Sequence, residues 1–147
     1  MIIRDMTHEQ CTGALAKHNF GRIACVENGQ PYITPFSFAF EDDAIYSFAT
    51  VGTRIAWMRA NPLVCVEVED IVSPQNWHTL IVFGRYVELP ETPEFAIERA
   101  AAHRLLSARK LWWEPGYART VSHEIERPLD PVFFRIAIDR MSGHYAA

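Results

Sequence analysis

Six apolar, strand-like runs follow one another along this chain, and most are separated by turns too short to hold a crossover helix. They are GRIACVE, PYITPFSFAF, AIYSFA, LVCVEVED, TLIVFGRYVEL and VFFRIAID. Parallel neighbours in a sheet need a connection of about a dozen residues or more, usually a helix. This succession therefore excludes a doubly wound parallel sheet and points to an antiparallel barrel or sandwich. The first two runs flank Asn28-Gly29, a dipeptide that tolerates the positive φ angles of a tight hairpin turn. In LVCVEVED, Val64, Val66 and Val68 share one face, and Gly84 inside TLIVFGRYVEL marks a bend or bulge.

Helices interrupt the strands at few places. Thr7 with Gln10 three residues on is a capping-box arrangement and predicts a helix over His8–Lys17. ETPEFAIERAAAHRLLSARK reads as a helix with Thr92 as N-cap, Pro93 in the first turn and a stripe of Ile97, Ala101, Leu105 and Ala108. A third, short helix lies in SFATVGTRIAWMRANP, where Pro62 stops it. Residues 112–131 read as one long irregular stretch, and irregular stretches of that length in compact domains are often functional.

Chain length of 147 residues with 49% hydrophobic content fits one domain with one core. The net charge of −4 and the scattering of Lys and Arg exclude a nucleic-acid surface built on a basic patch. A small molecule or another protein is the expected partner. Three cysteines without a CxxC pair read as reduced, mostly buried thiols, with Cys65 in the core. MIIRDMTHEQ lacks a signal-type apolar core and no window is of membrane-span length, so a cytoplasmic protein is expected.

The stretch at residues 47–62 carries the clearest chemistry. A helix N-terminus presents unpaired backbone N–H groups and partial positive charge. The turn Thr50-Val51-Gly52-Thr53 before Arg54 therefore offers amides, hydroxyls and a guanidinium to one anion, a phosphate cradle. Two readings stand open on this pattern alone: that cradle, or a helix capped by Thr53 with Arg54 in solvent. The stretch is neither a P-loop nor a dinucleotide-fold fingerprint. Upstream, Tyr32, Thr34, Phe36, Phe38 and Phe40 share one face of a strand, while Pro35 and Ser37 leave the other face low enough for a flat ligand to approach the backbone. His123-Glu124 opens like HExxH, but Arg127 stands where the second histidine is needed, so no metal site is expected.

In their order, GRIACVENGQPYITPFSFAF, AIYSFATVGTRIAWMRANPLVCVEVED and NWHTLIVFGRYVEL resemble the FMN-binding split-barrel family that contains pyridoxamine 5′-phosphate oxidase. Within it the resemblance is to the small members grouped with the nitroimidazole-resistance reductases. It covers residues 20–89 and, more loosely, VFFRIAIDRMSG. It implies a mainly β fold, a six-stranded antiparallel Greek-key split barrel. It also implies a homodimer with FMN in clefts between the subunits, and an FMN-dependent oxidoreductase activity.

Carried over by position, Thr53 and Arg54 resemble the pair that grips the flavin phosphate, with Ala49 and Thr50 beside it. Pro35, Phe36, Ser37 and Phe38 resemble the strand whose backbone faces the isoalloxazine, and Thr79 and Trp77 the flavin contacts of the other subunit. His78, Trp112 and Trp113 are then candidates for the substrate pocket. Two departures stand out. Ile55 replaces the second phosphate cation, and Arg140 and His144 do not match the arginine and histidine that hold pyridoxal phosphate in the oxidase. The expected activity is therefore reduction of a small aromatic or nitro-heterocyclic acceptor. A flavin- or haem-binding protein without turnover, and a cofactor-free dimeric scaffold, are the alternatives.

Overall fold

A computed structural model describes residues 1–109 and 112–147. Its frame is one antiparallel sheet. The chain enters through β1 (Ile3–Asp5) and α1 (His8–Lys17), then runs through β2 (Phe20–Glu27), β3 (Gln30–Ser37), β4 (Ala39–Glu41) and β5 (Ala44–Thr50). After α2 (Thr53–Ala60) come β6 (Leu63–Ser73), β7 (Asn76–Glu88), α3 (Ala96–Ser107), the pair β8 (Arg119–Ser122) and β9 (Ile125–Pro128), and β10 (Pro131–Ala146). The order across the sheet is β3-β2-β6-β7-β10-β5-β4, with β1 added to β10.

The two edge strands of this order, β3 and β4, are consecutive in sequence and separated only by Phe38. The sheet must therefore curl until its edges approach each other, and no ladder joins β3 to β5, so the barrel stays split. This is the mainly β, antiparallel split barrel expected, with eight strands in the sheet rather than six. At the seam, Phe38 N–H donates to Asn19 O at 3.0 Å and Ser47 Oγ donates to Ser37 O at 2.6 Å.

Local chemistry accounts for much of this. Asn28 and Gly29 take φ of 50° and 75° and close the β2–β3 hairpin. Thr7 and Gln10 form both bonds of the capping box at the start of α1. Val64, Val66 and Val68 point into the barrel, where Ile23, Phe36, Phe38, Leu80, Val82, Phe134 and Ile136 meet them. Phe133, one residue from Phe134, faces the opposite way and packs with Ala39, Leu89, Ala102 and Leu106 under α3. The barrel thus has an inner core and a second layer outside the β4, β5 and β10 side.

Several expectations are corrected. The run PYITPFSFAF is two strands, because the chain switches at Phe38 from one edge of the curled sheet to the other. The stretch 112–131 is not wholly irregular: it holds the β8–β9 hairpin, whose turn puts His123 and Glu124 at φ of 51° and 64°. Thr92 makes no side-chain cap; a 3-10 turn over Pro93–Phe95 precedes α3. The buried stripe of α3 is shifted, with Ala102 and Leu106 inside and Ile97 84% exposed. Lys110, at the end of the helix expected there, lies outside the described residues. Cys65 is half-buried on the outer face opposite Phe83, while Cys11 and Cys25 are buried. The bulge expected at Gly84 sits on its partner strand, where the register shifts between Ile138 and Arg140. Gly84 itself is required by close approach, since a Cβ there would stand 2.5 Å from Ala137 O.

Candidate functional site

A cavity of about 330 Å³ opens at the split, and both layers of the core contribute to it. Phe36, Ser37 and Phe38 form one wall, at the end of β3. Phe48, Ala49 and Thr50 form the facing wall at the end of β5; Ala49 belongs to the inner core and Phe48 to the outer layer. Leu106 and Arg109 come from α3 and the turn after it, and Trp112 and Trp113 from the segment that follows. Asn19, Thr120, Leu129 and Arg54 complete the lining.

Arg54 decides between the two readings of the turn before α2. Its Nη1 donates to Thr34 Oγ1 at 2.9 Å and to Pro35 O at 3.3 Å, so the guanidinium spans the split from α2 to β3 while still lining the cavity. Burial pulls its pKa below the ordinary arginine range, an effect that Tyr32 and Cys25 oppose. Arg54 does not point into solvent. Nor does Thr53 cap the helix: Gly52 is the N-cap, with no side-chain bond, and Thr53 is an exposed first residue. The first bond into the helix runs from Ala56 N–H to Gly52 O at 3.0 Å, so the amides of Thr53, Arg54 and Ile55 precede the ladder. Ile55 is fully buried in the inner core, which is why this position cannot present a second cation. Arg109 brings a second guanidinium to the same cavity from the α3 side.

Aromatic rings shape the outer wall. Phe48 meets Trp113 edge-on at 5.1 Å between centroids and Trp112 at 5.6 Å. Trp113 remains 50% exposed, leaving ring surface open to a ligand.

Of the residues singled out in the sequence, Phe36, Ser37, Phe38, Ala49, Thr50, Arg54, Trp112 and Trp113 are brought together around this cavity. Pro35 touches the site through the carbonyl that accepts from Arg54, and Thr53 lies outside the lining. Trp77, His78 and Thr79 do not line it. They stand at the start of β7, beside the exposed Ile71 and Val72 of β6. His78 Nε2 is 2.9 Å from His18 Nε2, and the two rings meet edge-on. Burial first, then His78, holds the His18 pKa below the ordinary value, with Asp70 opposing. Among the described residues no helix is long and apolar enough to cross a membrane, and no group of three or more His, Cys, Asp and Glu is placed to hold a metal ion.

Arg109, Leu106, Asn19, Phe48, Thr120 and Leu129 were not legible as site residues. Leu106 ends the buried face of α3, and Arg109 lies in the turn after the helix, where helical periodicity gives no signal. Asn19 carries no signal of its own; the curl of the sheet brings it in.

A sequence profile described as pyridoxamine 5′-phosphate oxidase matches residues 7–145. The chain belongs to the pyridoxamine 5′-phosphate oxidase family. A crystal structure of an FAD-binding protein from Mesorhizobium loti is similar at 38% identity over 100% of both chains, with a TM-score of 0.82. The uncharacterized protein RA0666 of Rhizobium meliloti (strain 1021) is 38% identical over 99% of this chain and 97% of its own length. A candidate 5-nitroimidazole antibiotic resistance protein of Bacteroides thetaiotaomicron shares the fold, at 15% identity over 99% of this chain and 89% of that one, with a TM-score of 0.69. Among structures of this family, likeness at such low identity speaks for the fold alone.

Proposed function

We propose that this chain is a flavin-dependent oxidoreductase that passes electrons to a small, flat aromatic acceptor such as a nitro-heterocycle or a quinone. The observation that carries this reading is the cavity at the split. It combines an aromatic wall of Phe36, Phe48 and Trp113 with two guanidiniums, Arg54 and Arg109, in a chain of a family whose resemblance implies bound flavin. A flavin needs both: an apolar slot for its three fused rings and cations for its phosphate. The sequence resemblance implies FMN, and the Mesorhizobium loti relative is an FAD-binding protein. FMN and FAD share the isoalloxazine, ribityl and first phosphate, and it is this common half that the cavity suits.

When bound, the flavin supplies the electron chemistry. The chain's own residues would bind and orient it. Arg54, fixed on Thr34 and Pro35, holds a guanidinium at one end of the slot without having to be ordered on binding. The backbone at Ser37 and Phe38 would lie beside the rings, and Trp112 and the half-exposed Trp113 would wall the slot on its outer side. The free amides of the first turn of α2, beside Arg54, would add donors to a phosphate held there.

Arg140 and His144, which do not match the pair that holds pyridoxal phosphate in the oxidase, are engaged elsewhere. The Arg140 guanidinium stacks on Phe83 at 3.7 Å, and His144 Nε2 lies 3.2 Å from Asp5 Oδ1. Neither lines the cavity. Oxidation of pyridoxamine phosphate is therefore not expected at a useful rate.

A homodimer is part of the proposal. The outer face of β6 and β7 is mixed: half-buried Cys65, Ile81 and Phe83 and exposed Leu63 and Ile71 alternate with Glu67 and Glu69, which pair with Arg22, and Trp77 and Thr79 stand at its far end. A second copy seated there would bring Trp77 and Thr79 to the partner's flavin. Steady-state assays of the flavin-loaded protein, with NADH or NADPH as donor and a panel of nitro and quinone acceptors beside pyridoxamine phosphate, test the activity. Reduction of at least one acceptor with no turnover of the vitamin is expected; robust turnover of the vitamin, or reduction of none of the acceptors, contradicts it.

A further inference from the structure

The helix whose first amides face the cavity is held at its other end by a polar cluster. Arg59, in the last turn of α2, makes a two-pronged bond to Glu88 of β7, from Nε to Oε1 at 2.7 Å and from Nη2 to Oε2 at 3.2 Å. Tyr86 Oη donates to the same Oε1 at 2.7 Å. A single exposed ion pair contributes little to stability. This one differs, because the Tyr86 side chain is buried against Phe134, at 5.2 Å between centroids, and losing the carboxylate would leave its hydroxyl without that acceptor. Arg59 holds the Glu88 carboxyl below the ordinary carboxylate range; burial opposes this, and Tyr86 adds to it. Tyr86 N–H also donates to Pro62 O at 2.8 Å, so the chain leaving α2 is tied to the same stretch of β7. Arg59, Tyr86 and Glu88 do not line the aromatic cavity.

α2 is therefore a strut tied at both ends. Its exit is fixed to β7, which is paired on both sides, by β6 and by β10. Its entry carries Arg54, which reaches across the split to Thr34 and Pro35 of the edge strand β3. The helix has eight residues, a length of about 12 Å, so a tilt allowed at one end is felt at the other. Ile55 and Met58 bury one face of it in the core, but apolar burial is non-directional, whereas a two-pronged bond fixes both position and angle. We propose that Glu88 is a positioning residue for the flavin phosphate. By holding Arg59 it fixes α2 so that the Arg54 guanidinium and the free amides of the first turn stand ready for the anion, which lowers the ordering cost of binding. The proposal rests on the flavin reading of the cavity and goes beyond it, because it gives a part in binding to a cluster outside the cavity.

Fluorescence titration of flavin-free protein with FMN, FAD and riboflavin tests it, since riboflavin has the same rings and ribityl chain but no phosphate. Glu88→Ala is expected to weaken FMN and FAD by about three- to tenfold, the scale of one net hydrogen bond, while riboflavin affinity stays within about twofold. Arg59→Ala, which changes an exposed side chain, gives the same phosphate-selective loss, and circular dichroism fixes a temperature at which every variant is folded. Glu88→Gln, which keeps an acceptor for both partners, recovers part of the affinity. In an Arg54→Ala background the further loss from Glu88→Ala shrinks, because the guanidinium that it positions is gone. Equal weakening of all three flavins, or unchanged affinities in folded variants that have lost only stability, overturns the proposal and leaves the flavin reading standing. Binding of none of the three by the wild-type chain overturns both.

Discussion

The mouth of the split and the far end of the β6–β7 hairpin hold two groups of residues that the sequence suggested for one site, and the fold treats them in opposite ways. At the mouth, β3, β5, α2 and the segment after α3 converge, and residues from both core layers wall a common cavity. At the hairpin end, Trp77 and Thr79 stand beside exposed Ile71 and Val72, and His78 is held by His18. The difference teaches that a pocket in one chain and a surface of that chain are separate kinds of evidence. The mouth can hold a ligand by itself. In the proposed dimer, the hairpin end would reach a ligand only through a second copy.

Substitutions separate the two regions. Arg54→Ala is expected to have the largest effect, a loss of flavin affinity of about ten- to a hundredfold, on the scale of a hydrogen bond to a charged group. Because Arg54 also ties α2 to β3, the same variant should lose stability, by about 1–3 kcal/mol. Thr34→Val sharpens the point: it removes one of the two ties to β3 but keeps the guanidinium and its bond to Pro35 O, so it should lower the denaturation midpoint and weaken flavin binding less than Arg54→Ala does. Titration calorimetry and urea unfolding on both variants read the two effects apart.

Ile71→Asp addresses the other region. A carboxylate in place of this exposed apolar side chain, within the proposed contact and beside Glu69, is expected to weaken self-association by about tenfold or more, the cost of an interface hot spot. Sedimentation at several concentrations measures it, and a wild-type chain that is monomeric throughout the micromolar range removes the proposed role of Trp77 and Thr79. At the mouth, Trp113→Ala should raise the apparent KM for a flat acceptor by about two- to tenfold with flavin content intact, the worth of one aromatic contact.

The smallest effect concerns pH. The folded chain holds the His18 pKa below the ordinary value of about 6.5, so the unfolded chain takes up a proton first as pH falls. The contribution is therefore full above that value and is lost as pH drops through it towards the folded value. His18→Gln should flatten this part of the stability profile, as followed by thermal unfolding across mildly acidic pH. A profile unchanged by the substitution would show that burial and His78 do not hold the His18 pKa down in solution.

Much of the frame was legible because it rests on local chemistry. The Asn28-Gly29 turn, the capping box at Thr7 and Gln10, and the alternating valines of β6 each state their structure within a few residues. What escaped depends on long-range geometry. β1 is three residues long with every side chain exposed, and exists because β10 runs on far enough to pair with it. The β8–β9 turn uses His123 and Glu124 at positive φ, where glycine or asparagine would have announced it. The phase of α3 was misjudged because Ile97 looked like a core residue, whereas Phe95, Ala102 and Leu106 face the barrel. In the site, Arg54 and its hydroxyl-rich turn could be read as an anion grip, but its bonds to Thr34 and Pro35 arise from the curl that brings β3 to α2.

The location of the flavin is the most direct test of the account. A crystal structure of the flavin-loaded protein should show the isoalloxazine in the slot walled by Phe36, Phe48 and Trp113, with the first phosphate on Arg54. Flavin bound only on the outer face of β6 and β7, or a phosphate without contact to Arg54, would contradict it.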